Sequence, residues 1–145
     1  MISLSLVTAA VVQVLCQLFK LVYYSIRDRK FTPKYLVTAG GIPSAHSAFV
    51  TSLAVAVGMR SGFDSDVFAV AGVFAAIVIY DAFRLRGAVQ THAVLLNRLS
   101  EKVFPAEGNE KLNEMLGHTL TEIVLGIVLG AAFSAAVTSV LIRIV

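Results

Sequence analysis

Charge is scarce in this 145-residue chain: 14% of its residues are Asp, Glu, Lys or Arg, where an ordinary soluble domain has about 25%. Together with 57% hydrophobic residues and a mean hydropathy of +0.82, that scarcity excludes a typical soluble globular domain. There is one cysteine, Cys16, so no internal disulfide can form, and as a metal ligand it would stand alone. No glycine period, tandem repeat or low-complexity stretch is present. Collagen-like structure is thereby excluded, and the apolar content is too high for a disordered chain. The net charge of +3 gives no argument for nucleic acid. No Lys or Arg precedes the first apolar run, which also outlasts a signal-peptide core. It is therefore expected to stay in the protein as a span.

What the chain has is long apolar segments, at residues 4–24, 45–59, 67–83 and 120–142. The expected fold is all-α: a single domain over residues 1–145, built as a polytopic membrane helix bundle of about four transmembrane helices plus short interfacial helices. The second and third segments reach a span's length of about 20 residues only if their flanks are helical, so one of them is alternatively a tilted or re-entrant helix. The connections after the first and third segments carry Arg27, Arg29, Lys30 and Lys34, then Arg84, Arg86, Arg98, Lys102 and Lys111. Those connections are expected in the cytoplasm. Within the second of them, Val89, Leu95, Leu96, Leu99 and Val103 recur at near-helical spacing, which predicts an amphipathic helix along the interface or against the bundle. Pro105 and Gly108 should end it. A short helix over 110–116 is expected to follow, with His92 and Asn97 at the surface.

The polar residues gather at one end of this topology. Lys20 and Arg27 end the first segment, and Gly40, Gly41, Pro43, Ser44 and His46 open the second. Tyr80, Asp81, Arg84 and Arg86 close the third; His118, Thr119 and Glu122 open the fourth. All fall on the face expected to be cytoplasmic. The run Gly40 to His46 reads as a turn entering a helix, with Pro43 suited to the first turn and backbone N–H groups aimed at one point, where an anion would bind. Lys20, Arg27, Arg84 and Arg86 offer charge-assisted hydrogen bonds to phosphate. His46 and His118 would divide phosphoryl transfer between a nucleophile and an acid. Glu122, one turn beyond His118, would fix that imidazole's tautomer.

These residues resemble the type-2 phosphatidic acid phosphatases, a family related to bacterial acid phosphatases and vanadium haloperoxidases, with motifs K-x6-R-P, P-S-G-H and S-R-x5-H-x3-D. Lys20 and Arg27 are separated by six residues, Pro43-Ser44-Ala45-His46 matches the second motif with Ala for Gly, and Glu122 follows His118 at the third motif's distance. Together with Tyr80-Asp81-Ala82 and Leu116-Gly117-His118-Thr119, the pattern looks like a divergent branch of that family. The resemblance implies that Lys20, Arg27, Ser44 and the nearby Ala45 amide bind phosphate and that His46 is the general acid. It makes His118 the nucleophile that forms a phosphohistidine, oriented by Glu122. It implies no required metal or other cofactor, leaves magnesium dependence open, and makes vanadate an expected inhibitor. The chain departs from the pattern at Asp28, where the first motif has Pro. It departs again at Lys111 and Leu112, where the third has Ser-Arg; Lys111, Arg84 or Arg86 would have to replace that arginine.

Plainer readings stand beside these. Thr119 and Glu122 also fit a capping box, Pro43-Ser44 a simple helix start, Lys20 a side chain reaching toward headgroups, and Asp81 with Arg86 a structural ion pair. Gly126, Gly130, Ser134 and Thr138 form a stripe of small residues that fits either a homodimer seam or packing within the bundle. The function expected is a membrane lipid-phosphate phosphatase acting on a phosphate monoester or diphosphate, such as phosphatidate, phosphatidylglycerol phosphate or an isoprenyl diphosphate. The alternative is a non-catalytic membrane protein that binds anionic lipid headgroups.

Overall fold

A computed structural model describes residues 3–36, 40–104 and 110–144. Among these every regular element is a helix: α1 (Leu4–Arg27), α2 (Ala45–Ser61), α3 (Asp66–Tyr80), α4 (Arg86–Val103) and α5 (Leu120–Ile144). A short 3-10 turn, Pro33–Leu36, follows α1, and a π turn, Asp81–Leu85, joins α3 to α4.

Among the described residues, three helices are long and apolar enough to cross a membrane: Leu4–Arg27, the joined Asp66–Val103, and Leu120–Arg143. The fourth expected span, α2, has only 17 residues, about 26 Å at 1.5 Å per residue. It is instead the centre of the bundle, packing against α1, α3 and α5. Its sequence explains this position. Small and apolar residues surround it, with Ala45, Ser47, Ala48, Val50, Ser52, Ala54, Ala56 and Gly58 all buried, and a helix without a polar face belongs inside. By contrast, Ala75 is the one buried residue of α3, so most of that helix faces outward.

The small-residue stripe on α5 meets α2 within the same chain. A Cβ on Gly126 would lie 2.5 Å from the Ser44 carbonyl and one on Gly130 2.4 Å from that of Ala48. Further along, the Ser134 hydroxyl donates to the Ser52 carbonyl at 2.7 Å. Both helices therefore advance together, four residues at a time, and run parallel with their backbones in contact. Of the two readings of the stripe, packing within the bundle is the one the fold uses, because α2 already covers Gly126, Gly130 and Ser134.

The second half of the chain departs most from expectation. The amphipathic helix is no separate element: the third span and α4 form one helix of 38 residues, about 57 Å long. The expected helix over 110–116 is absent; residues 110–119 form neither helix nor strand. Asn97 supplies the reason. Its amide donates to the Leu112 carbonyl at 3.0 Å and its carbonyl accepts the Leu112 N–H at 2.9 Å. A side-chain amide that pairs both backbone groups of one residue competes with helix formation there. Asn97 is accordingly buried rather than at the surface, whereas His92 is exposed as expected. Pro105 and Gly108 lie outside the described residues.

Candidate functional site

The four helix ends converge as the charge pattern predicts. Lys20, four residues before Tyr24 on α1, is 1% exposed, and its ammonium donates to the Gly40 carbonyl at 3.0 Å. It turns inward and does not reach for headgroups. One turn on, the Tyr24 hydroxyl accepts the Ile42 N–H at 3.1 Å. Gly41 between them has φ +96°, and a Cβ there would sit 2.7 Å from the Tyr24 oxygen. Only glycine fits both the left-handed backbone and that approach.

Arg27 lies over the Tyr24 ring, 4.4 Å from its centroid, and its Nε donates to Asp28 at 2.8 Å. Tyr35 donates to the other Asp28 oxygen at 2.7 Å and stacks on Tyr24. These two donors, Arg27 first, hold the Asp28 carboxyl below the usual carboxylate range. The residue that replaces the first motif's proline thus fixes the guanidinium in place.

Helix α2 begins at Ala45 with Ser44 as its N-cap, so Pro43 stands one residue ahead of the cap rather than inside the first turn. The Ser44 oxygen accepts from the Ser47 N–H and hydroxyl, at 3.3 and 2.9 Å. The Ser44 N–H donates to the Glu122 carbonyl at 3.0 Å, which ties the start of α2 to the start of α5. The N–H groups of Ala45 and His46, in the first turn, have no carbonyl partner within their own helix.

His118 precedes α5. Its Nδ1 lies 3.0 Å from Glu122 Oε2, and the same oxygen accepts the Thr119 N–H at 3.1 Å, while Thr119 Oγ1 accepts the Glu122 N–H at 3.3 Å. This is a complete capping box whose carboxylate also holds an imidazole, so the two readings of Glu122 coexist. A carboxylate accepts hydrogen bonds and does not donate them; the Nδ1–H tautomer follows, with the lone pair on Nε2. His46 faces His118 with ring centroids 6.2 Å apart. Its buried Nδ1 has no hydrogen-bond partner among the described residues.

The segment bearing His118 is laid along the third long helix. The Ala82 carbonyl, inside the π turn, accepts the His118 N–H at 3.2 Å. Gly117 rests on Gly87, where a Cβ would be 2.7 Å from the Gly87 Cα, and donates its N–H to Gln90 at 2.9 Å. Gly87, Gln90 and Asn97, three and seven residues apart, share a helix face. That polar face is the signal in the sequence for this docking; attention to the leucine stripe hides it. The tightly kept Gly40 joins the same segment through Met115, whose carbonyl accepts its N–H at 3.3 Å.

A pocket of about 260 Å³ opens here, lined among others by Tyr24, Arg27, Gly41, Gln90, His118 and Glu122. Lys20, Ser44 and His46 lie behind its wall, and the His118 side chain is fully covered. Arg86 pairs with Asp81 at 2.7 Å, an alignment that the i to i+5 repeat of a π turn produces. The charges of Arg86, Lys20 and Asp81 all act on His46. Three expected site residues stand apart. Tyr80 is 61% exposed and Arg84 is exposed, and neither lines the pocket. Lys111 is bound to Glu101 at 2.7 Å on the surface. None of Arg84, Arg86 and Lys111 lines the pocket, but Arg86 meets the segment that bears His118: a Cβ on Gly117 would lie 3.1 Å from its carbonyl carbon. Among the described residues no group of three or more His, Cys, Asp or Glu side chains is placed to hold a metal ion.

Comparison with known proteins identifies the family. The sequence profile of the divergent PAP2 family matches residues 3–133. The "Uncharacterized membrane protein YuiD" of Bacillus subtilis (strain 168) is 34% identical, over 72% of this chain and 74% of its own. No solved structure matches the chain. The chain belongs to the divergent PAP2 family.

Proposed function

From that membership and the Glu122–His118 pair, we propose that the protein is a membrane lipid-phosphate phosphatase working through a phosphohistidine. The observation that carries the reading is the single Glu122 oxygen shared by Thr119 N–H and His118 Nδ1. It keeps the imidazole in the tautomer whose Nε2 lone pair can attack phosphorus, as an orienting carboxylate does in other histidine-based sites.

In the first step Nε2 forms a bond to phosphorus, the bond to the leaving oxygen breaks, and His46 gives that oxygen its proton. Water then attacks the phosphohistidine, His46 takes a proton from it, and inorganic phosphate leaves. Lys20, Arg27, Arg86 and the first-turn N–H groups of α2 neutralise the phosphoryl oxygens. Lipid substrates suit a site at the ends of membrane helices, and the basic connection after α1 supports a cytoplasmic placement.

The second reading is a non-catalytic binder of anionic headgroups. It is favoured by the complete covering of the His118 side chain. Purified protein incubated with a panel of lipid phosphates, without metal, with magnesium, and with vanadate, separates the two. Phosphate release that vanadate stops and that His118→Ala lacks supports the phosphatase. Headgroup binding without release from any lipid supports the binder.

A further inference from the structure

Tyr24 lies between Lys20 and Arg27 of the first motif, at a position that the motif leaves open. It is 5% exposed and lines the pocket. Its hydroxyl sits at Gly41, another lining residue, where a Cβ would stand 2.7 Å from the phenol oxygen. The ring is held from several directions. Tyr35 stacks on it with centroids 4.7 Å apart, Tyr23 meets it edge-on at 5.1 Å, and the Arg27 guanidinium lies 4.4 Å from its centroid. Asp28 ties two of these clamps together, accepting from Arg27 at 2.8 Å and from Tyr35 at 2.7 Å. The hydroxyl therefore has a fixed position, set by α1 and the turn that follows it.

A phenol is both an acceptor and a donor. The acceptor half is engaged by the Ile42 N–H at 3.1 Å. The O–H proton has no acceptor among the described residues, and a buried donor beside a polar pocket calls for one from a ligand or from water. The pocket in turn is short of donors for a phosphoryl group. Arg27 is the one lysine or arginine among its lining residues, whereas a phosphate monoester presents three strong acceptor oxygens and about two negative charges. At the entry to α2, Pro43 has no N–H, Ser44 gives its own to the Glu122 carbonyl, and Ile42 gives its own to Tyr24. The phenol passes that last bond on, because accepting an N–H polarises its O–H and chained hydrogen bonds strengthen one another.

We propose that Tyr24 is a phosphate-binding residue of this site, its hydroxyl donating a hydrogen bond to a phosphoryl oxygen. This rests on the reading of the pocket as one for phosphate, which the catalytic and the headgroup-binding readings share. Ile42 N–H, Tyr24 O–H and the phosphoryl oxygen then form one chain of donors that runs from the turn at Gly41 to the ligand.

The phosphoryl group is common to a free ion and to a lipid headgroup, so the test measures two ligands by calorimetry on the full chain in detergent. One is inorganic phosphate. The other is the phosphonate analogue of dioctanoyl phosphatidate, which cannot be hydrolysed; whichever ligand the native chain binds more tightly names the source, and the Tyr24 contact is common to both. Tyr24→Phe should weaken both by the same factor, about 10- to 100-fold, the range for a hydrogen bond to a charged group. A second substitution separates contact from anchoring. The O–H of 3-fluorotyrosine, introduced at Tyr24, is a stronger donor and a weaker acceptor. At a pH where it stays protonated, both ligands should bind a few-fold more tightly while the Ile42 amide exchanges faster. Binding equal to that of the native chain in Tyr24→Phe, or a fluorinated phenol that binds no more tightly, overturns the proposal and leaves Tyr24 as an anchor of the turn. A loss confined to the lipid analogue also overturns it, because the hydroxyl would then meet the glycerol rather than the phosphoryl group. A native chain that binds neither ligand removes the phosphate reading itself, and the role of Tyr24 with it.

Discussion

Lys20 and Gly40 are joined across twenty residues by a hydrogen bond of 3.0 Å between a buried ammonium and a backbone carbonyl. The bond fixes the turn that leads into α2 against the end of α1, and so places the first motif beside the second. An ammonium has three donors; this contact commits one of them to the turn, and the charge is the one proposed to meet a phosphate.

Lys20→Met tests that dual role. Removing a charge-assisted bond of about 1.5–3 kcal/mol should weaken phosphate or vanadate binding roughly 10- to 100-fold, read by calorimetry in detergent. Binding equal to that of the native chain would show that Lys20 only anchors the turn.

Glu122→Gln keeps an oxygen to accept the Thr119 N–H but no longer enforces the His118 tautomer. Phosphate release should fall by about two to four orders of magnitude, in line with loss of the carboxylate in a Ser-His-Asp triad. The cost to stability should stay near that of a cap, about 1 kcal/mol. His118→Ala should abolish release altogether with helical content unchanged by circular dichroism.

Asn97→Ala removes both hydrogen bonds to Leu112, each worth about 0.5–1.5 kcal/mol net. Amide hydrogen exchange should speed up across residues 110–118 and not in α2 or α5. Unchanged exchange there would mean that the segment is held by other contacts.

Gly130→Val puts a branched side chain where the Ala48 carbonyl lies. Overpacking of this kind costs about 1–3 kcal/mol or more, and the thermal midpoint in detergent should drop while the molecular mass by light scattering stays the same. A change of mass with no loss of stability would instead place the stripe at an interface between copies.

Asp28 titrates below an ordinary carboxyl because Arg27 and Tyr35 bind its charged form. The sign follows: the folded value is depressed, so its contribution is present above the unfolded value of about 3.9 and is lost as the pH falls through the lower, folded value. The Asp28 carboxyl carbon, followed by NMR, should titrate below that unfolded value. Arg27→Gln should raise its midpoint.

Much of this was legible along the chain. The helical membrane bundle follows from apolar runs separated by charged connections, and the relation of His118, Thr119 and Glu122 is local, since positions three and four apart meet wherever a helix begins. The Lys20 to Arg27 spacing and the Ser44 cap are local in the same sense. Periodicity could not reveal that α2 is the shorter, central helix, because its small residues fit a lipid face and a crowded interior alike. Nor could it join α3 to α4, since a π turn has no strong composition of its own.

That the molecule is helical and belongs in a membrane is set along the chain, as is the local relation of His118, Thr119 and Glu122, because each depends on neighbours a few positions away. Tertiary structure alone decided the partners across long intervals. Asn97 holds Leu112, Gln90 holds Gly117, Lys20 turns inward to Gly40, and Arg86 meets the segment that bears His118. Such contacts are made by single side-chain amides and charges that satisfy backbone groups left open elsewhere. Any of several polar residues could make them until packing brings one of them into reach.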